Sequence, residues 1–448
     1  MAAEDMVPED VAAAGTDDNN WTRRSLLRGA AALTGAAAAS SLLGGTASAL
    51  AGGGDADALF RAGEFEKAGR AYEEVLRKDP RNVHAARRRG RIGLLANRFA
   101  DAEKYLGTAL RLAPDDKDAH YLLGDCYLRQ DKLPLAAPHW QAAGEKAYAQ
   151  WFAAVRGEPY QVRGDIARLP IRQMDPMPLV EVSVNGGPTK HFTFYTGASN
   201  LSMRASVAKE TGLKPVASQR VEFEGGFMWA HYGILDSFEL GGIELRNVPV
   251  GWSSTESGED TDTDSDGMIG TWVFSHLLTT FDYAGRQLVL RRRTPEAAGR
   301  VHAASVRAGA EPLPLWLADQ FLHTRGTVTG ASGSGTGVVG VNFGGSGGES
   351  AAVVFADTAE KLGVRTDHGR PLGTFAHSHP AVTYPCYPRE IRIGDAAARD
   401  IYCESHPQAA LAPYGFDVRA AFFHCFHKPY ALTLDLTAMH LYIAATAP

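Results

Sequence analysis

Two different periods of apolar residues divide the chain. From about residue 55 to 155 apolar positions recur at helical spacing, and the pattern repeats every 34 residues: Phe65, Phe99 and Leu133; Ala68, Ala102 and Ala136; Tyr72, Leu106 and Trp140. Pro80 and Pro114 end two of the units, and Gly90 precedes Gly124 by the same interval. Small residues at fixed places let paired helices approach closely, so the spacing predicts three stacked helix pairs, the first with a short opening helix. From about residue 160 the period falls to two. Short alternating segments punctuated by glycine, asparagine and aspartate predict an all-β unit up to residue 448.

The β region is written twice. Leu240-Gly241-Gly242-Ile243-Glu244-Leu245-Arg246-Asn247-Val248 is echoed by Ile393-Gly394-Asp395-Ala396-Ala397-Ala398-Arg399-Asp400-Ile401, each a hairpin with glycine at its turn. Each half closes on an alternating strand, Phe281 through Leu290 and Leu434 through Ile443; Asp282 and Asp435, the symmetric acids there, are read as ordering turns. Phe194-Tyr195-Thr196-Gly197-Ala198-Ser199 answers Val341-Asn342-Phe343-Gly344-Gly345-Ser346, and a helical segment ending in Thr211-Gly212-Leu213 or Leu362-Gly363-Val364 follows each. Asp266-Gly267-Met268-Ile269-Gly270 completes the first set, with Tyr414-Gly415-Phe416 as its nearest counterpart in the second.

This order of motifs resembles the retropepsin-like aspartic proteases of the pepsin clan, over residues 160 to 448. The resemblance implies a bilobal β fold with lobes at 160–300 and 310–448, and a cleft that receives an extended peptide. Each lobe of that family supplies one Asp-Thr-Gly turn, and the two aspartates share a proton and activate water. Here the acid positions hold Tyr195 and Asn342. A phenol titrates near pH 10 and a carboxamide not at all, so neither takes a proton from water near neutral pH. Loss of one general base typically costs roughly 10² to 10⁴ in rate, and both are gone. The reading is therefore a pseudoprotease that binds a peptide or protein segment, with Tyr195, Thr196, Gly197, Ser199, Asn342, Gly344 and Ser346 at the cleft. An enzyme of altered chemistry in the same cleft (a lyase, cyclase or isomerase) or a residual aspartic peptidase stays open, so the enzyme question is undecided.

The 34-residue units resemble tetratricopeptide repeats, and His120-x-x-Leu123-Gly124-x-x-Tyr127 keeps most of their opening signature. The fold class is thus a multidomain α plus all-β chain: an α-solenoid at 55–155, then a bilobal aspartic-protease-like unit. The resemblance implies a groove for a protein partner. Arg87, Arg88, Arg89 and Arg91 crowd one helix, as a basic groove for a carboxylate or, pointing in successive directions, as a solvated charged face.

Composition changes this picture little. A net charge of −6 gives no reason to expect nucleic acid. Residues 1–51 carry Thr22-Arg23-Arg24-Ser25-Leu26-Leu27-Arg28, an apolar run from Gly29 to Leu43, and Ala47-Ser48-Ala49, the order of a twin-arginine export signal. The expected location is extracytoplasmic or secreted, with no membrane span once the signal is cleaved; an uncleaved anchor is the alternative. A tight turn at Gly394-Asp395 sets Cys386 opposite Cys403, a cross-strand disulfide candidate in an oxidising compartment, with two core thiols as the alternative. Cys126 reads as a small buried hydrophobe. His377 and His379 lie where the related family has its flap, and His424 and His427 could add ligands from a helical turn, which makes these four the metal candidates. Asp262-x-Asp264-x-Asp266 begins like a calcium loop but has Val273 where the twelfth-position acid belongs, so it reads as solvated. The glycine-rich stretch Gly326–Gly348 reads as a flexible lead into the Asn342 turn, and no cofactor is expected.

Overall fold

The computed structural model describes residues 54–223, 226–255, 265–344, 349–376, 379–406 and 414–445. The export signal and most of the acidic run therefore lie outside the described residues. Seven helices come first: Gly54–Arg61, Phe65–Lys78, Val83–Leu95, Phe99–Leu112, Lys117–Leu128, Leu133–Ala143 and Lys146–Ala154. Phe65, Phe99 and Leu133 each open the second helix of a pair. One turn on, Ala68, Ala102 and Ala136 are fully buried. Gly90 and Gly124 mark where opening and closing helices touch: a Cβ at Gly90 would lie 2.7 Å from Leu106, and one at Gly124 would lie 3.0 Å from Trp140. Asn82 and Asp116 cap the second and third opening helices through the amides of Ala85 and Ala119.

The solvated-face reading of the arginine cluster does not hold for Arg89 and Arg91, which are buried. Arg87 pairs with Asp116, Arg89 is buried between Glu73 and Asp101, and Arg88 and Arg91 lie against the Phe60 ring. The acids come from neighbouring helices, which the spacing of the arginines alone does not reveal.

The β region forms two lobes joined by a shared sheet. The first lobe is an eight-stranded sheet in the order Gln161–Arg163, Ile243–Ser254, Leu201–Arg204, Gly267–Ile269, Thr189–Phe194, Leu179–Val184, Gly226–Leu240, Ala217–Phe223. The long strand Gly226–Leu240 also pairs with Ile243–Ser254, curling the sheet onto itself. Its hairpin turns at Gly241 and Gly242, both at positive φ, and the echo in the second lobe turns at Gly394. The duplication reaches single residues, since Asn247 and Asp400 at equivalent places are both left-handed, as are Gly212 and Gly363 after the two lobe helices.

Each closing segment is a hairpin rather than one strand, turned near Asp282 and Asp435, whose carboxylates accept from the amides of Gly285 and of Thr437 and Ala438. The two hairpins meet in a six-stranded sheet that takes strands from both lobes, Leu277–Asp282 pairing antiparallel with Tyr430–Asp435. At its centre the Thr280 and Thr433 hydroxyls bond each other at 2.8 Å. The glycine-rich stretch is no flexible lead over its described part. Phe321–Gly330 and Gly333–Val341 form a hairpin whose glycines admit neighbours, as where Gly330 lies against the Leu362 carbonyl.

The helical region is packed onto both lobes. Trp151, fully buried on the seventh helix, donates to the Gly233 carbonyl at 2.8 Å and sits among Tyr148, Phe152, Tyr232 and Trp272. Phe60 and Phe65 pack on Phe416 and Trp316 of the second lobe. Arg129 spans the seam, paired with Asp125 and donating to the carbonyls of Leu317 and Asp319. Among the described residues no helix is long and apolar enough to cross a membrane.

The register sets Cys386 directly opposite Cys403, both buried and both thiols in this structure. Burial pushes the Cys386 thiol up to about 12. Protein folded in an oxidising compartment is expected to yield neither thiol to alkylation after denaturation unless first reduced, and reduction is expected to lower stability by about 3 kcal/mol. Trp151→Ala is expected to cost roughly 3–5 kcal/mol in chemical denaturation followed by circular dichroism.

Candidate functional site

Tyr195 and Asn342 each follow the end of a central strand, Thr189–Phe194 in one lobe and Gly333–Val341 in the other. A short strand runs parallel beside each, aligning Phe194 with Ile269 and Val341 with Phe422. The amide of Tyr195 donates to Ile269 at 3.0 Å, and that of Asn342 to Phe422 at 2.8 Å. A short helix follows in each case, Thr271–Ser275 and His424–His427. The second-lobe counterpart of Met268-Ile269-Gly270 is therefore Ala421-Phe422-Phe423, not Tyr414-Gly415-Phe416. The glycine is the misleading feature. A Cβ at Gly270 would lie 2.4 Å from the Asn200 carbonyl, whereas Phe423 enters its helix with its amide on Ala351 at 2.9 Å.

The two turns grip each other across the lobe junction. The Thr196 amide donates to the Phe343 carbonyl and the Phe343 amide to Thr196 Oγ1, both at 2.9 Å. Thr196 is fully buried, so these bonds are shielded from water. The first lobe supplies the only hydroxyl in this reciprocal pair, because the second lobe has phenylalanine at the equivalent place. Phe343 stacks instead on Phe281, with centroids 4.3 Å apart and planes at 15°, and on His427. The Gly344 amide donates to the Tyr283 hydroxyl at 3.1 Å. Tyr283 belongs to the turn between Leu277–Asp282 and Gln287–Arg292, so this contact joins the shared sheet to the second turn, a role that its place in a hairpin does not signal.

Tyr195 and Asn342 are brought together. The Asn342 carboxamide lies close enough to the Tyr195 hydroxyl to bear on its ionisation. Burial pushes that phenol up to about 12, with Asn342 opposing, so it is neutral through the physiological range. The Tyr195 ring folds over Gly197: a Cβ there would lie 2.2 Å from the ring, so any other residue at 197 displaces the tyrosine. Met177, Ala198 and Met268 form the apolar bed beneath it. Gly344, at positive φ, faces the Phe194 carbonyl and the Tyr195 backbone. Ser199 bonds the Asn200 side chain at 3.2 Å and lies within reach of Tyr148 from the seventh helix. Ser346 lies outside the described residues. The site offers a neutral donor, a carboxamide and apolar surface, and neither member of the pair is a carboxylate.

Of the candidate histidines, the two whose side chains are described, His424 and His427, do not converge on one point. His377 lies outside the described residues, and His379 follows the tip of a hairpin formed by Leu372–Ala376 and His379–Tyr387. His424 and His427 meet different neighbours. His427 is enclosed by the Tyr283 and Phe343 rings, and burial holds its imidazole down to about 3. His424 Nε2 lies 2.9 Å from Asp175 and 3.8 Å from Cys425 Sγ. Among the described residues the donors that could share a cation are Asp175, His424 and Cys425, whose ligand atoms all lie within 4.8 Å of one another. Lys428 Nζ, at 2.9 Å, already neutralises Asp175 there. Asp266 serves structure, accepting from the His191 amide at 2.8 Å.

Thr196→Val is expected to keep the fold and leave the buried Phe343 amide without an acceptor. The expected loss is about 1–3 kcal/mol in chemical denaturation, larger than for Thr196→Ser, which keeps the oxygen.

Residues 180–273 match the family model described as aspartyl protease, a stretch that lies within the first lobe and spans its turn and flanking strand. Residues 54–106 and 96–150 match a tetratricopeptide repeat model, over the paired helices. The search of curated proteins gave no match. The chain thus carries tetratricopeptide repeats followed by an aspartyl-protease-like domain.

Proposed function

We propose that this protein is an exported pseudoprotease that binds a peptide or protein segment in the cleft between its lobes without cleaving it. The observation that carries the proposal is the Tyr195–Asn342 pair, which stands where the two turns meet and has no carboxylate in either member. A water-activating dyad needs one ionised acid beside one protonated acid. A phenol that stays neutral up to about pH 12 cannot act as that base. What remains suits recognition, since Tyr195 presents a ring and a hydroxyl and Asn342 can both donate and accept. The tetratricopeptide region adds a protein-interaction module, and the Thr22–Ala49 signal pattern supports delivery outside the cytoplasm.

A second reading draws on the same pair. A neutral phenol within reach of a carboxamide can donate to a developing oxyanion, which fits an enzyme of altered, non-peptidase chemistry. Turnover of a small carbonyl substrate that is lost in Tyr195→Phe would favour it over binding alone.

The test is a mixed-peptide cleavage assay from acid to neutral pH. The wild type is expected to release no product sensitive to an aspartic-protease inhibitor. Tyr195→Asp combined with Asn342→Asp is expected to raise the cleavage rate by roughly 10² or more over either single variant. Inhibitor-sensitive turnover by the wild type would overturn the proposal.

A further inference from the structure

Arg91 projects from the second opening helix into the seam between the repeats and the second lobe. It is 9% exposed, and among the described residues it makes neither a direct hydrogen bond nor an ion pair. A second cation stands beside it. A Cβ at Gly415 would lie 3.0 Å from Arg88 Nη1 and 3.6 Å from Arg91 Nη1, so the two guanidinium groups converge on the same glycine. Arg88 reaches Asp57 only at 3.9 Å, its Nε is buried without a partner, and Asp57 is already shared with Tyr72 and His84. Asp319 is the strongest charged influence on Arg91, ahead of Arg88 and Asp118, but it forms no ion pair with it among the described residues. Burying a charge without a paired counter-charge costs several kcal/mol, and the cost is recovered when an anion arrives.

The same glycine leads to the cleft. Tyr414, its neighbour, packs edge-on to His323 with centroids 4.8 Å apart and lies within electrostatic range of Tyr195. Tyr414-Gly415-Phe416 therefore has a place in the fold other than flanking the second turn: glycine makes room for two arginines, and the tyrosine beside it lies within electrostatic range of Tyr195.

We propose that Arg91, with Arg88 beside it, receives a carboxylate of the ligand bound in the cleft, the ligand passing Tyr414 on its way to Tyr195. This rests on the cleft-binding reading above and adds the ligand class, a segment with a free carboxylate. A guanidinium pair suits a planar carboxylate, which can accept two N–H bonds at once.

The experiment uses the full chain and matched hexapeptide pools carrying either a free C-terminal carboxylate or a C-terminal amide. The wild type is expected to bind the acid pool roughly ten- to hundredfold more tightly than the amide pool. Arg91→Met is expected to remove that preference and raise the unliganded melting temperature because an unpaired buried charge is gone. Equal binding of the two pools by the wild type, or a preference that survives Arg91→Met, overturns the inference. If Arg91→Met does not fold, Arg88→Gln decides in its place by the same comparison. If neither pool binds the wild type, the cleft reading fails, and thermal shifts with succinate and with inorganic phosphate decide the anion site separately. An Arg91-dependent shift with succinate larger than with phosphate upholds a carboxylate site. No shift, or a larger one with phosphate, overturns it.

Discussion

Thr196 and Phe343 hold each other by two hydrogen bonds at the centre of the molecule, one through backbone groups and one through the threonine hydroxyl. Fixing these two residues fixes the ones before them, so Tyr195 and Asn342 face one another whatever their chemistry. Neither acid of an Asp-Thr-Gly pair is needed for this. The grip uses the threonine and the backbone, the Phe343 ring is anchored on Phe281, and the Gly344 amide is taken by Tyr283. A fold held this way can lose its carboxylates and keep its cleft.

Losing them also removes a constraint. Two carboxyl groups in contact cannot both ionise at neutral pH, and a dyad stores that repulsion as part of its function. A neutral phenol beside a carboxamide has no such conflict. The replacement is nevertheless shaped by its surroundings, because the Tyr195 ring occupies the space above Gly197 that a Cβ would take. That glycine now serves the tyrosine as well as the turn. The apolar bed of Met177, Ala198 and Met268 gives the ring a partner that an aspartate would not use.

Features with a short-range cause were legible in the sequence. The 34-residue spacing places Phe65, Phe99 and Leu133 identically, because each begins a helix that packs in the same way. The hairpin echo extends to left-handed Asn247 and Asp400, side chains that tolerate this conformation. Features set by distant partners were not legible. Gly415 looked like the flanking glycine of a second active-site turn, but that place belongs to a strand ending in Phe422, which carries no glycine. Arg89 looked solvated until Glu73 and Asp101 arrived from adjacent helices. Tyr283 lies in a turn, and nothing local marks its hydroxyl as the acceptor for Gly344.

Docking changes what the repeats can do. A tetratricopeptide stack on a tether would offer its groove to any partner, but here Phe60 and Phe65 are buried on Phe416 and Trp316, and Trp151 is buried on Gly233. Apolar contact on both lobes also restrains the lobes relative to one another, because each is held against the same helical stack. The helical stack therefore backs the lobe junction, and Tyr148 is its closest approach to the first turn. Tyr148 is within reach of Ser199, the residue that follows the Tyr195 turn, so the seventh helix touches the cleft directly. The helical region thus supports the Tyr195 turn from behind, and a separate protein partner must use the helix faces that the lobes leave uncovered.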